Sequence, residues 1–350
     1  MLQREDLLAT PVLHFDIKAC NPTALINGMR HTRHIGRDLA KAASLYHRML
    51  SDRNCGIVLC MASPLVSSGL KQVFVDLIRN RMVDAIVSIG ANIVDQDFFE
   101  ALGFHHYLPE DSDSEVCDES TLKELHIDRV CDTLIDNEDW QHCDDAIHLI
   151  ADALPGGTYS SREFIREMGM YLAEQHRARL VEQDEDSIVM AAFEEDVPIF
   201  CPAFSDCSAG FGLSAHQQSR GDRDKVSIDS GKDFYELTRL KIASGETGLV
   251  ILGSNPPACE APYLEKAAAS LGQETAAHNF ALRLDAAVLQ GEAASKDPWN
   301  RCDALESQHV ACDPTFATPL VTGYAYHSGI WKTRKARRWT RLLESALAPS

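Results

Sequence analysis

What most restricts this chain is a series of short, unbroken apolar runs separated by segments of helical period. Gly56-Ile57-Val58-Leu59-Cys60-Met61 carries no charged residue, so neither of its faces suits water and it reads as a strand buried on both sides. Ser67 to Asn80 follows, with Leu70, Val73, Phe74, Leu77 and Ile78 on one helical face. Asp84-Ala85-Ile86-Val87-Ser88-Ile89 is a second buried strand and stops at Gly90. Val197 to Cys201, Gly248 to Gly253 and Asn279 to Leu284 repeat the pattern. Ser160-Ser161-Arg162-Glu163 has capping-box form and opens a helix through about Arg177. Ser230 stands where it can cap a helix from Phe234 to Ala243. Continuous apolar strands alternating with helices predict a parallel sheet covered on both faces, joined by right-handed crossovers. The expected class is α/β, doubly wound.

At 350 residues the chain is long enough to bury a core without disulfides or metals as staples. No stretch approaches the roughly 18 apolar residues of a membrane span. Met1-Leu2-Gln3-Arg4-Glu5-Asp6 lacks a signal pattern, so a soluble cytoplasmic protein is expected. Net charge is −19, from 52 acidic and 33 basic side chains. A field of that sign repels phosphate backbones and favours small cations, amines and polyamines among them. Eleven cysteines lack any CxxC spacing, and the nearest pairs, Cys55/Cys60 and Cys201/Cys207, do not have zinc-site spacing. Reduced, buried thiols and no metal site are expected. Between Glu110 and Asp145 there are 14 acidic residues against Lys123 and Arg129, a solvated surface or a rim for a polyamine. Six basic residues between Trp331 and Arg341 predict a helix docked on an acidic neighbour rather than an RNA site.

The common phosphate and hydrolase motifs are absent: no GxxxxGK[ST], no GxGxxG after a strand, no HExxH and no GxSxG. Gly210-Phe211-Gly212 is a lone GxG. Polar residues gather instead after the strands, where open α/β sheets bind ligands. Ala62-Ser63-Pro64-Leu65-Val66-Ser67-Ser68-Gly69 opens a helix with small residues and is expected to offer free backbone N–H groups to an anion. Ile89-Gly90-Ala91-Asn92 lets a flat ligand approach the backbone. In Pro202 to Gly210, Asp206 has the chemistry to bind a ribose diol. Gly253-Ser254-Asn255-Pro256-Pro257 closes the set. Each alone reads as a turn; four at successive strand ends suit a nucleotide-sized ligand.

Ala62 to Gly69 resembles the deoxyhypusine synthase family, as do Met82 to Ser88, Pro198 to Asp206, Thr247 to Gly253 and Asp313-Pro314-Thr315-Phe316-Ala317-Thr318-Pro319-Leu320. The similarity runs in order from about residue 25 to 340, nearest to the bacterial synthase-like branch that includes homospermidine-forming enzymes. It implies a Rossmann-like NAD-binding domain over residues 51–330, preceded by a helical segment over 1–50 and followed by a basic tail over 331–350. It also implies a homotetramer with sites between subunits, or a hetero-oligomer with a homologue. The implied chemistry is NAD-dependent: hydride leaves the carbon beside spermidine's secondary amine, diaminopropane departs, and a butylimine passes to an acceptor amine before being reduced. By matching positions, Ser63, Ser67, Gly90, Ala91, Asp206, Ser208, Gly253 and Asp313 are expected to line the NAD site.

The departures from the family pattern are specific. Its glycine-rich turn with a following Lys-His pair is here Gly253-Ser254-Asn255-Pro256-Pro257-Ala258-Cys259. Its nucleophilic lysine, in Ser-Trp-Gly-Lys, is met by Pro298-Trp299-Asn300-Arg301, so Arg301 stands at the lysine's place beside Trp299. A guanidinium stays charged and cannot form a Schiff base. Lys296 is near but needs a rearranged loop to substitute. Asp95 and Asp97 are expected to clamp an ammonium group, or to serve only the dipole of the helix they open. His105 and His106 read as structural. The expected activity is amine processing without a covalent lysine: oxidation to an imine, then transfer, cyclisation or reduction. The alternatives are an inactive paralogue acting as a structural or regulatory subunit, and a binding protein that uses its basic tail. The expected partner is a small amine or polyamine, with no nucleic acid and no membrane.

Overall fold

The computed structural model describes residues 3–109, 119–130, 132–178, 186–253, 261–286 and 304–347. Its centre is a six-stranded sheet: β1 Gly56–Met61, β2 Ala85–Ser88, β3 Ile199–Phe200, β4 Thr247–Leu252, β5 His278–Leu284 and β6 Ala304–Val310. Every neighbouring pair is parallel, with Leu59 of β1 lying between Ile86 of β2 and Val250 of β4. The strands run in the order β3-β2-β1-β4-β5-β6, the order of a doubly wound dinucleotide-binding sheet, which reverses direction between β1 and β4.

Alternate residues of the apolar strands part into two cores, as period-2 geometry requires. Ile57, Leu59, Ile86, Val250 and Leu282 face one side, where α1 (Ile35–Ser51), α2 (Lys71–Arg79) and α8 (Pro314–Ser328) pack. Val58, Cys60, Val87, Leu249 and Ile251 face the other, against Leu237 and Leu240 of α7 (Ser230–Ser244) and Trp339 and Leu343 of α9 (Trp339–Leu347). Helices thus cover both faces. Between β2 and β3 lie α3 (Asn137–Ala153), α4 (Ser161–Arg177) and α5 (Ile188–Glu195), and α6 (Ser208–Arg220) follows β3. Ser160 caps α4 with the reciprocal Glu163 contact that the sequence predicts.

Four local expectations change. The segment from Ser67 to Asn80 is two pieces, a wide π-helical turn over Val66–Leu70 and then α2, because Gly69 takes φ +86. Asp229, not Ser230, caps α7, accepting from the Gly231 N–H. Strand β6, Ala-Leu-Glu-Ser-Gln-His-Val, has no apolar run; it is an edge strand with its middle exposed, so polar residues suit it. The basic tail forms its α-helix only from Trp339 on.

Before α9 the tail is held by charge. The Arg334 guanidinium, buried, pairs with Asp84 and donates to the Arg81 carbonyl, while Arg337 lies 3.7 Å from the same carboxylate. Arg341 pairs with Asp196 at 2.7 Å. The expected acidic neighbour is therefore present. Cys55, Cys60, Cys143 and Cys201 are buried thiols outside any disulfide.

Candidate functional site at the carboxyl edge of the sheet

Because all six strands are parallel, the segments that follow them emerge along one edge. At the reversal between β1 and β4, Gly253 takes φ +104, and a β-carbon there would lie 2.3 Å from Ser63 Oγ. Only a glycine permits that conformation and that approach together. One strand over, a β-carbon on Gly90 would lie 2.6 Å from Cys207 Sγ. The fold thus draws Ser63 to Gly253, and Gly90 to the Asp206-Cys207-Ser208 turn.

Two buried amides that the sequence reading did not single out fix the turn after β1. Asn92 accepts from the Leu65 N–H at 2.9 Å and donates to the Ser63 carbonyl at 2.8 Å. Gln96 accepts from the Ser67 N–H at 2.8 Å. The N–H groups of Leu65 and Ser67 are consequently occupied by side chains, which corrects the expectation that this turn offers them to an anion. Asn92 and Gln96, four apart on the π-helix Ala91–Phe98, share a face of it.

Intervening residues of that helix face other elements. Asp95 accepts from the Ser208 N–H at 2.8 Å, at the first turn of α6. The Trp140 indole N–H donates to Ser208 Oγ. Asp144, one turn further along α3, also bonds Ser208, and burial with the nearby Asp95 charge pushes its carboxyl up to about 6. Burial raises Asp95 as well, against the Ser208 hydrogen bonds. Asp206 is exposed beside this group. Three carboxylates, an indole and a helix N-terminus therefore meet at the end of β3. The signal that points to Asp144 is the acidic stretch before Asp145; nothing singled out Trp140.

Asp97 is engaged elsewhere. Its oxygens accept from Ser187 Oγ at 2.8 Å and from the N–H groups of Ile188 and Val189 at 2.8 and 2.9 Å, capping α5. It is fully buried, and burial pushes its pKa up to about 6. This corrects its assignment as an ammonium clamp: both oxygens serve a helix end. His106 is structural as expected, donating to the Glu100 carboxylate at 2.8 Å, with His14 and Lys71 each 2.7 Å from the same group. Burial alone would raise Glu100, but His106, His14 and the Lys71 charge hold it well below the usual carboxylate range.

Asp313 caps α8, accepting from the Thr315 N–H at 2.8 Å. Its strand β6 stands three strand spacings from β1, about 14 Å away. Ala91 begins the π-helix directly after Gly90. Trp299 and Arg301, with Lys296 and the turn over 254–260, lie outside the described residues. Among the described residues no cluster of three His, Cys, Asp or Glu side chains has the arrangement of a metal site, and no helix is long and apolar enough to cross a membrane.

A family model described as deoxyhypusine synthase matches residues 24–325. The chain belongs to the deoxyhypusine synthase family. A deoxyhypusine synthase-like protein of Chlorobaculum parvum is 42% identical over 98% of this chain and 97% of its own length. A protein of the same description from Coxiella burnetii is 41% identical over 98% and 96%. A Methanosarcina mazei relative named "Probable deoxyhypusine synthase 2" is 32% identical over 94% and 92%. Among solved structures, one from Entamoeba histolytica named "putative deoxyhypusine synthase" superposes with a TM-score of 0.58, covering 90% of this chain and 96% of that one at 18% identity. That likeness shows the fold of the family; the site must be argued from this chain's own residues.

Proposed function

We propose that this family member binds NAD along the carboxyl edge and uses it to oxidise an amine or polyamine to an imine, which is then transferred, cyclised or reduced without a lysine Schiff base. The observation that carries the proposal is the meeting of Ser63 and Gly253 where the strand order reverses. A dinucleotide lies across such a reversal, and Gly253 and Gly90 let the turns that follow the strands close up on one another there. The cradle fits: Ser63, Ser67, Gly90 and Ala91 would flank the cofactor on β1 and β2, Asp206 and Ser208 on β3, and Gly253 and Asp313 on β4 and β6.

Bound there, NAD would supply a hydride acceptor. The chain's residues do the rest. Asp95, Asp144 and Asp206 attract an ammonium group, and the Trp140 face beside them suits a cation. A carboxylate released from a raised pKa also accepts the proton that leaves nitrogen as C–H is converted to C=N. A second amine held at the same edge would attack the imine carbon directly and expel the amine first bonded to it, leaving a new imine for the hydride to reduce, so proximity replaces the covalent relay. Arg301, at the lysine's place in the sequence, and its neighbour Trp299 complete the proposed site; a permanent positive charge there repels a protonated amine and favours a neutral imine. Asp97 supports the fold around the site by capping α5.

Assembly belongs to the same proposal: a homotetramer with sites between subunits, or a hetero-oligomer with a homologue. Phe211 and Phe316, in the first turns of α6 and α8, are 72% and 59% exposed at this edge, which suits burial against another subunit. The decisive experiment is mass spectrometry of products from protein, NAD and spermidine, putrescine, agmatine or ornithine, with Arg301→Ala alongside. A new amine or cyclic imine that requires NAD is expected. No product, with NAD still raising the melting temperature, would replace this reading with that of an inactive subunit. No product and no NAD binding would overturn both.

A further inference from the structure

The molecule carries a second feature on a different side of the sheet, unconnected with the carboxyl edge. A groove of about 360 Å3 runs between α1 and the exposed edge strand β6. It is lined by Arg30, Arg37, Lys41 and Arg48, with Ser44 between them and Glu306 opposite. Arg37, Lys41, Ser44 and Arg48 recur at intervals of four, three and four along α1, which puts them on one stripe.

On a chain of net charge −19 this is a local reversal of sign, four cationic side chains against one carboxylate in the lining. Their internal partners are few. Arg48 pairs with Glu306, and Lys41 lies 3.2 Å from Asp38. Arg30 donates to the neutral Tyr324 hydroxyl at 2.9 Å and to Asn27. Arg37 has no ion-pair partner among the described residues. Like charges clustered in excess of their carboxylate partners oppose one another and cost stability unless an anion joins them. Three of the four are arginines, whose planar forks bind phosphate or carboxylate through paired hydrogen bonds.

We propose that this groove binds a small polyanion carrying two or more phosphate or carboxylate groups. Its volume matches a small-molecule site rather than a macromolecular surface. The acidic remainder of the surface turns away nucleic acid and concentrates the attraction in this one stripe. Arg37 and Lys41 make the principal contacts, and Arg48 becomes available as its pair with Glu306 is shared.

The test is calorimetric titration of the full chain with inorganic triphosphate and, separately, citrate, at low and at physiological salt. Saturable binding of one or both is expected, weakening as salt rises, and the stronger of the two identifies the anionic group preferred. Arg37→Ala with Lys41→Ala should weaken it at least about tenfold, the scale of losing charge-assisted hydrogen bonds. Lys335→Ala, an exposed cation on the tail, should leave it unchanged, and so should saturating NAD. Absence of saturable binding at low salt, equal losses in the tail variant, competition by NAD, or tight binding of single-stranded RNA without triphosphate would each overturn the proposal.

Discussion

Replacing Asn92 by alanine tests whether the turn after β1 is built by side-chain amides. The native amide holds two backbone groups of that turn, the Leu65 N–H at 2.9 Å and the Ser63 carbonyl at 2.8 Å, and Asn92 itself is fully buried. Leu65 is buried too, so its N–H has no route to water once the partner is gone. An unsatisfied buried donor costs about 1–3 kcal/mol. The Ser63 carbonyl is half-buried and recovers part of its loss from solvent. The expected sum is about 2–4 kcal/mol, a large share of the roughly 5–15 kcal/mol that holds a domain folded. Urea denaturation reads it as a lower midpoint at unchanged slope. Asn92→Asp sharpens the test. It keeps the acceptor for Leu65 but sets an oxygen against the Ser63 carbonyl, so it should be weak at neutral pH and recover in acid as the carboxyl protonates and donates. Both variants should also diminish the rise in melting temperature produced by NAD. If Asn92→Ala lies within about 0.5 kcal/mol of the parent, the level of an ordinary surface change, the reasoning fails.

Three further outcomes follow from other contacts. Arg334→Ala leaves the buried Asp84 carboxylate with only the more distant Arg337 as a cation and should cost up to about 3–5 kcal/mol, measured by the same denaturation; Lys335→Ala, exposed, should cost almost nothing. Asp144 has a folded pKa near 6, above its usual value, so the native state holds that proton more tightly than the unfolded chain. Its contribution to stability is therefore greatest in acid and is lost as pH rises through about 6, whereas amine binding strengthens over the same interval because only the carboxylate attracts a cation. In parallel pH titrations, Asp144→Asn should flatten the pH dependence of amine affinity but remove only its own share of that of melting temperature, because burial raises the Asp97 carboxyl to about 6 as well. Gly253→Ala places a β-carbon against Ser63 at φ +104 and should abolish the NAD-induced thermal shift, with a smaller loss of stability than of binding.

Five of the six strands are legible because they are largely buried on both faces and so mainly apolar, with the Asp285-paired Arg283 of β5 a charged exception. Strand β6 is not, since its residues meet water and carry Glu306, Ser307 and Gln308 like any loop. The helix after β1 reads as continuous because Gly69 leaves the apolar spacing intact while turning the backbone. At the site, the glycines and the small turn residues announce themselves by position. Spacing alone puts Asp95 and Asp97 on different sides of their helix, but it does not reveal that each meets the N-terminus of another helix. Asn92 and Gln96 look like ordinary polar residues until the turn they hold is seen. The basic tail is legible as a docked element, yet its arginines reach Asp84 as extended chain, before the helix begins.

The Trp339 ring packs so closely on Gly56 that a β-carbon there would lie 2.5 Å from it. Part of one face of the first strand is thus closed by a segment far along the chain, and the Asp84 carboxylate likewise meets its partner Arg334 across 250 residues. Contacts of such separation close large loops before they stabilise anything, so the sheet is completed slowly and late. A chain interrupted before Trp339 would keep part of an apolar strand face open, a substrate for chaperones and proteases rather than a slightly shortened protein.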